Sequence, residues 1–308
     1  MAARDLAMGF IFLSQTALGI LGKSVLLYYF ILTGFTGIRE KPTDLIVKHL
    51  TWANFMVLLF KGVPHTIAAF SQRHFLNPIV CKLVFYFHRV ARGVSLGSTA
   101  LLTIYQAIII SPSNSKLAQL NVSAPKFVGP SLCLCWALYL LVNGFIPLAV
   151  TDIGNIRNLS RLGYLVYCTV AQPQKPTSIL YVILLTYTDI LCLGLMMWSS
   201  GSMVCILLKH KQKVQHIHRS PSLRSSAEAR ATQNILTLGS SYVLFYVTSV
   251  ILTMVLPFHG KTSVVLANAN ASMTACFPAF CPFILIRHYT GVPRVCCTCV
   301  YKQQIVLV

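Results

Sequence analysis

Long apolar runs, broken by charge only at intervals, constrain this chain more than any motif does. Residues 178–208 carry a single charged side chain, Asp189. A hydrocarbon core about 30 Å thick is crossed by about 20 residues of helix. Seven stretches meet that length, at 8–32, 45–70, 80–110, 128–150, 178–208, 234–256 and 263–285. The composition agrees: 56% of residues are hydrophobic and 10% charged, against about 25% charged in a soluble domain. Such a chain cannot cover itself in water, which excludes a soluble enzyme. Its net charge of +19 would suit a nucleic-acid binder only on a soluble basic fold, so the bilayer is the expected partner, not nucleic acid. The expected fold is an all-α membrane protein, a seven-transmembrane helix bundle without cofactor or metal.

The first apolar run begins after Arg4 and continues to about Ile31, too long for a trimmed signal peptide and read as an uncleaved helix. Basic residues set the orientation. With residues 1–7 outside, the segments 33–44, 111–127, 209–233 and 286–308 face the cytoplasm and hold 13 Lys and Arg. Residues 1–7, 71–79, 151–177 and 257–262 hold 6. The N-terminus is therefore expected to be extracellular and the C-terminus cytoplasmic.

Of 11 cysteines, only Cys81, opening the third span, and Cys168, in the second outer loop, fall on the outer side. Paired thiols in an oxidising compartment read as a disulfide, which would pin that loop across the third span. Cys133, Cys135, Cys192, Cys205, Cys276 and Cys281 lie within helices, where they serve as small packing groups. Three glycosylation sequons occur, at Asn121, Asn158 and Asn270, and only Asn158 lies in an outer loop.

Several ordered stretches carry a resemblance. Pro42-Thr43-Asp44-Leu45-Ile46-Val47-Lys48-His49-Leu50 opens the second span, which continues to Lys61-Gly62-Val63-Pro64. The third span runs from Cys81 through Lys82-Leu83-Val84-Phe85-Tyr86-Phe87-His88-Arg89-Val90 and Arg92-Gly93-Val94-Ser95 to Tyr105-Gln106-Ala107-Ile108. Asp189 to Met196 follows in the fifth span, His216-Ile217-His218-Arg219 and Arg224-Ser225-Ser226 in the third inner loop, and Cys276-Phe277-Pro278 with Pro282-Phe283 in the seventh span. Together they resemble the type 1 vomeronasal (pheromone) receptor family of G-protein-coupled receptors over nearly the whole chain. Rhodopsin-like receptors end the third span with an acidic-Arg-Tyr triplet and carry Asn-Pro-x-x-Tyr in the seventh. Both are absent here, as they are in the vomeronasal family. Two departures stand out. Gly22 is followed by Lys23 where the family has Asn, and three residues, Leu165-Val166-Tyr167, separate Gly163-Tyr164 from Cys168. A Lys at mid-span costs about 2.5–3.5 kcal/mol on insertion scales and is expected to weaken folding.

No grouping of Ser, His, Asp or Cys forms an enzyme motif. His210, His216 and His218 have a ligand-like spacing but no nearby Cys or carboxylate, and read as a basic extension of the fifth helix. Charges inside the membrane are costly and tend to face the bundle interior. Lys61, Arg89, Arg92 and Asp189 are therefore the expected polar lining of a ligand cavity in the outer half, with a direct Asp189–Arg92 ion pair as the structural alternative. Arg89 and Arg92 lie about 12 and 16 Å below Cys81 along their helix. Such a cavity suits a small, largely apolar organic ligand, and its three basic groups are compatible with an acidic or carbonyl-bearing one. The resemblance implies a pheromone-like ligand, an inhibitory-class heterotrimeric G protein and a plasma-membrane location. The inner contact is expected at Lys209, Lys211, Lys213, His216, His218 and Arg219, together with Gln106 to Lys126. Cys296, Cys297 and Cys299 beside Arg294 and Lys302 are candidates for palmitoylation. A bitter-taste-type receptor fits the ordered motifs less well. A transporter or channel would show repeated halves or rings of charge, and no internal repeat is found.

Overall fold

The computed structural model describes residues 3–35, 41–70, 77–112, 123–144, 162–164, 169–171, 175–216, 223–255 and 263–288. Its helices are α1 (Ala3–Phe35), α2 (Pro42–Val57), α3 (Val63–Phe70), α4 (Pro78–Ile109), α5 (Ala124–Asn143), α6 (Lys175–His216), α7 (Leu223–Val255) and α8 (Ser263–His288). A π-helical turn, Leu58–Gly62, joins α2 to α3, so the two make one span and the described helices make seven. Five spans are apolar and long enough to cross a membrane on composition alone, namely Ala7–Phe35, Pro42–Phe70, Ala124–Asn143, Tyr187–Lys209 and Gln233–Leu252. The remaining two are α4 and α8, and α4 carries Lys82, Arg89 and Arg92.

Local chemistry explains several boundaries. Asn77 caps α4 by accepting from the Ile79 N–H at 3.2 Å, and Pro78 opens the helix where its missing N–H costs nothing. The π-turn lies just ahead of Pro64, whose ring and absent N–H disrupt a regular helical ladder. Thr66 Oγ1 then donates to the Gly62 carbonyl at 2.8 Å. Helix α5 is described over Ala124–Asn143 with Gly144 at its C-cap, beginning at Ala124 ahead of Pro125, and residues 145–150 lie outside the described residues.

The third inner segment, 209–233, contains the ends of two helices. Helix α6 runs on through Lys209, Lys211 and Lys213 to His216, and α7 begins at Leu223. Nothing in 209–216 breaks a helix, whereas Pro221 stands two residues before α7. In the second outer loop, a short antiparallel hairpin pairs Leu162–Tyr164 with Thr169–Ala171, Gly163 opposite Val170. Cys81 is disulfide-bonded. Asn158, Cys168, His218, Arg219, Cys296, Cys297 and Cys299 lie outside the described residues.

Helix α4 is the centre of the bundle, packing against α2, α5, α6 and α7, while α1, α2 and α8 close the far side. Polar side chains share the interior with aliphatic ones, and apolar side chains also cover the outside. Thr51, Asn54, Ser95, Ser98, Thr99, Thr103 and Ser199 are buried, whereas Leu18, Leu21, Val25 and Tyr28 form an exposed stripe on α1. Leu134 and Leu141 do the same on α5. Some buried hydroxyls bond their own helix: Thr51 donates to the Val47 carbonyl at 2.7 Å and Thr99 to that of Ser95 at 2.8 Å, whereas Ser98 Oγ has no partner among the described residues.

Two glycines on α4 let α5 approach closely. A Cβ on Gly93 would lie 2.1 Å from the Tyr139 ring, and one on Gly97 would lie 2.4 Å from Cys135 Sγ. Small residues four apart on a membrane helix are the usual means of such contact. On the other side, a Cβ on Gly22 would meet Pro282 at 2.9 Å, which draws α1 onto α8 and seals Lys23 inside. Lys23 is fully buried beside the Cys281 thiol, and its Nζ has no hydrogen-bond partner among the described residues.

Both close contacts can be tested by substitution. Gly93→Ala should lower surface delivery and thermal stability, by about 1–3 kcal/mol, through overpacking against Tyr139. Adding Tyr139→Leu to Gly93→Ala should recover part of the loss, and an unchanged Gly93→Ala melting profile would contradict the close contact. Lys23→Asn should raise the surface signal of an N-terminally tagged chain several-fold, since removing about 1–2 kcal/mol of destabilisation has that effect on abundance. An equal surface signal would show that the buried ammonium is tolerated.

Candidate functional site

Two cavities open between α4 and its neighbours in the half of the bundle nearer Cys81. One is lined by Asn54, Arg92, Ser95, Tyr242, Tyr246, Ser249, Thr274 and Phe277 among others. The second is lined by Arg89, Arg92, Gly93, Leu96, Tyr139, Asn143, Asp189 and Tyr246. Arg92 and Tyr246 belong to both and form the wall between them.

That wall joins three spans. The Tyr246 hydroxyl, on α7, donates to Asp189 Oδ2 on α6. The guanidinium carbon of Arg92, on α4, sits 4.8 Å from the centre of the Tyr246 ring, in cation–π range. Tyr242 stacks on Tyr246 with ring centres 6.1 Å apart and meets Phe277 of α8 edge-on at 4.4 Å. The direct Asp189–Arg92 ion pair, the structural alternative in the sequence, therefore gives way to an arrangement in which a tyrosine stands between the two charges.

Of the four charged residues singled out in the sequence, Arg89, Arg92 and Asp189 meet around one cavity. Lys61 lines neither of these two cavities. It is half-buried near the π-turn, within electrostatic reach of Arg89, Arg92, His65 and His88. His88 is buried and its Nε2 has no hydrogen-bond partner among the described residues. The cavity region thus holds an excess of positive charge over its one carboxylate.

Sequence reasoning does not single out the rest of the lining. Below Arg92, Ser95 Oγ donates to Asn54 Oδ1 at 2.7 Å, and Asn54 Nδ2 donates to Cys281 Sγ at 3.6 Å. Across the cavity, Ser249 Oγ donates to Asn270 Oδ1 at 2.8 Å and lies 3.1 Å from Thr274 Oγ1. Asn270, one of the three sequon residues, is thus engaged inside the bundle. Polar residues within apolar spans are the available signal for Ser249 and Asn270. Tyr246 has none, because an aromatic in an apolar helix reads as packing.

Further toward the opposite end, α4, α6 and α7 meet at Thr103. Ser199 Oγ of α6 donates to Thr103 Oγ1 of α4 at 3.0 Å. A Cβ on Gly239 of α7 would lie 3.2 Å from Thr103 Cγ2 and 3.7 Å from Ser200 Oγ. Lys209 is exposed on the continuation of α6, which carries Lys211, Lys213 and His216 on the same helix.

Seven spans around a central α4 make a seven-helix bundle with the fold of rhodopsin. Squid rhodopsin aligns with a TM-score of 0.70 over 95% of this chain and 84% of its own, at 14% identity. The model of the vomeronasal organ pheromone receptor family matches residues 6–298. The chain is 47% identical to vomeronasal type-1 receptor 4 of Homo sapiens, over 96% of this chain and 98% of that one. It is 42% identical to vomeronasal type-1 receptor 2 of Homo sapiens, over 95% of this chain and 74% of that one. The chain belongs to the vomeronasal organ pheromone receptor family, and family and fold are those of a receptor and not of an enzyme.

The bridge through Tyr246 has a measurable cost of removal. Tyr246→Phe keeps the ring beneath Arg92 and deletes the hydroxyl, and should lose about 0.5–2 kcal/mol in unfolding of the purified protein. Asp189→Asn, which still offers an acceptor oxygen, should lose less. Identical melting of Tyr246→Phe and the parent would contradict the bridge.

Proposed function

We propose that this chain is a chemosensory receptor that binds a small organic ligand beside Arg92 and activates a heterotrimeric G protein at its other end. The observation carrying this reading is the wall shared by the two cavities, where α4, α6 and α7 meet through Arg92, Asp189 and Tyr246. A mostly apolar ligand with a carbonyl or acidic group fits the lining, since the aromatic and aliphatic walls take its body and Arg92 its acceptor.

Engaging Arg92 would compete with its hold on the Tyr246 ring. The ligand would then favour arrangements in which α7 is less tightly held to α4 and α6, shifting a pre-existing equilibrium. At the inner end, the same α7 rests on Thr103 through Gly239, so loosening it exposes the surface continuous with the basic end of α6. Lys209, Lys211, Lys213, His216, His218 and Arg219 make up the proposed G-protein contact, with an inhibitory-class partner implied by the family. The proposal includes a plasma-membrane location with the N-terminus outside, a Cys81–Cys168 disulfide, a glycan on Asn158 and palmitoylation at Cys296, Cys297 or Cys299.

Two variants test the two ends separately. Arg92→Met should reach the surface normally yet lose at least about ten-fold in potency for any small organic agonist found by screening, a change of about 1.4 kcal/mol. Unchanged potency in a normally delivered variant would remove Arg92 from the site. Gly239→Val should raise ligand-free guanine-nucleotide exchange, because its branched side chain wedges α7 off Thr103. Ion flux in place of exchange would favour a channel or transporter.

A further inference from the structure

A larger cavity lies at the other end of the bundle. It lies between the inner ends of α2, α4, α7 and α8, with a cavity volume of about 180 Å³. Its chemistry is unlike that of the outer cavities. Val47, Leu102, Ile235, Leu238 and Leu285 give it buried aliphatic walls. Its polar lining is limited to the Thr43 hydroxyl and the carboxamides of Gln106 and Asn234, and no charged side chain among the described residues lines it.

We propose that this inner cavity is a second ligand site, selective for an uncharged amphiphile with an aliphatic chain and a carboxamide-type head. The walls fit the chain, and Asn234 with the Thr43 hydroxyl presents donors and acceptors that match an amide. A carboxylate of equal length is disfavoured by a lining without a cation among the described residues, because burying an unpaired charge is far more costly than burying an amide. The outer cavities, with Arg89 and Arg92, have the opposite preference, so the two ends of one bundle select ligands by charge.

The site has a structural consequence. Its walls come from both α4 and α7, and it adjoins the contact where Gly239 closes on Thr103. An occupant touching Leu102 and Leu238 together holds α4 and α7 in the closed arrangement. It therefore stabilises that arrangement in preference to any with α7 displaced. None of this depends on the identity of the outer ligand or on coupling to a G protein.

The test uses the full chain in nanodiscs with decanamide as probe, decanoate as its charged control and a photoreactive diazirine analogue of decanamide. Peptide mapping after illumination should find saturable adducts within 102–109, 234–238 or 284–285, competed by decanamide and not by decanoate. Decanamide should raise the melting temperature of the chain by a few degrees. Leu238→Trp and Val47→Phe, which fill the space differently, should each abolish both effects, while Leu244→Trp on the exposed face of α7 should leave them intact. Adducts confined to exposed residues such as Leu244, equal competition by decanoate, or no saturable labelling of the parent chain would each overturn the proposal. The mapping on the parent chain decides even where a filled variant fails to fold.

Discussion

The close approach of α5 to α4 is the contact on which the rest of the bundle depends. Gly93 and Gly97 allow the Tyr139 ring and Cys135 to press directly on the α4 backbone. In lipid there is little hydrophobic drive between helices, so such contacts and polar bonds hold spans together. With that face of α4 committed to α5, its remaining faces present Ser95 to Asn54 of α2, Thr103 to Ser199 of α6 and Arg92 to Tyr246 of α7. One helix thus supplies both the packing centre and the charge at the candidate site.

Helix α7 connects the two ends. Tyr246 and Gly239 are seven residues apart, two turns or about 10 Å along one helix face. The first is tied to α6 and α4 by Asp189 and Arg92, and the second rests on Thr103 of α4. A change at the tyrosine is therefore delivered to the inner contact by a rigid element, without any longer chain of side chains. Lys23 sits apart from this line, sealed between α1 and α8, and contributes cost without a hydrogen bond among the described residues to offset it.

Much of this is legible in the amino-acid sequence, for physical reasons. Spans in lipid must satisfy every backbone group internally, so a long apolar run has few alternatives to helix. Intramembrane charge is rare enough that Arg89, Arg92 and Asp189 stand out, and they share a cavity. Less legible is anything set by pairing between distant segments. Tyr246 gains its role only because α6 and α4 bring Asp189 and Arg92 to it. The inner cavity is a gap among aliphatic residues that read individually as core. The extension of α6 to His216, by contrast, is legible as a basic continuation of the fifth helix, because nothing in 209–216 breaks it. Gly93 and Gly97 are visible, but only the position of Tyr139 gives their spacing a meaning.

On this reading Arg92 faces a water-accessible cavity open to the outer side and not lipid or a dry ion pair. Arg92→Cys in whole cells, treated with a membrane-impermeant thiol reagent, tests it most directly against the parent chain as background. Modification from outside is the predicted result, slowed by any agonist that occupies the cavity. A normally delivered Arg92→Cys chain that resists the reagent from outside would contradict it.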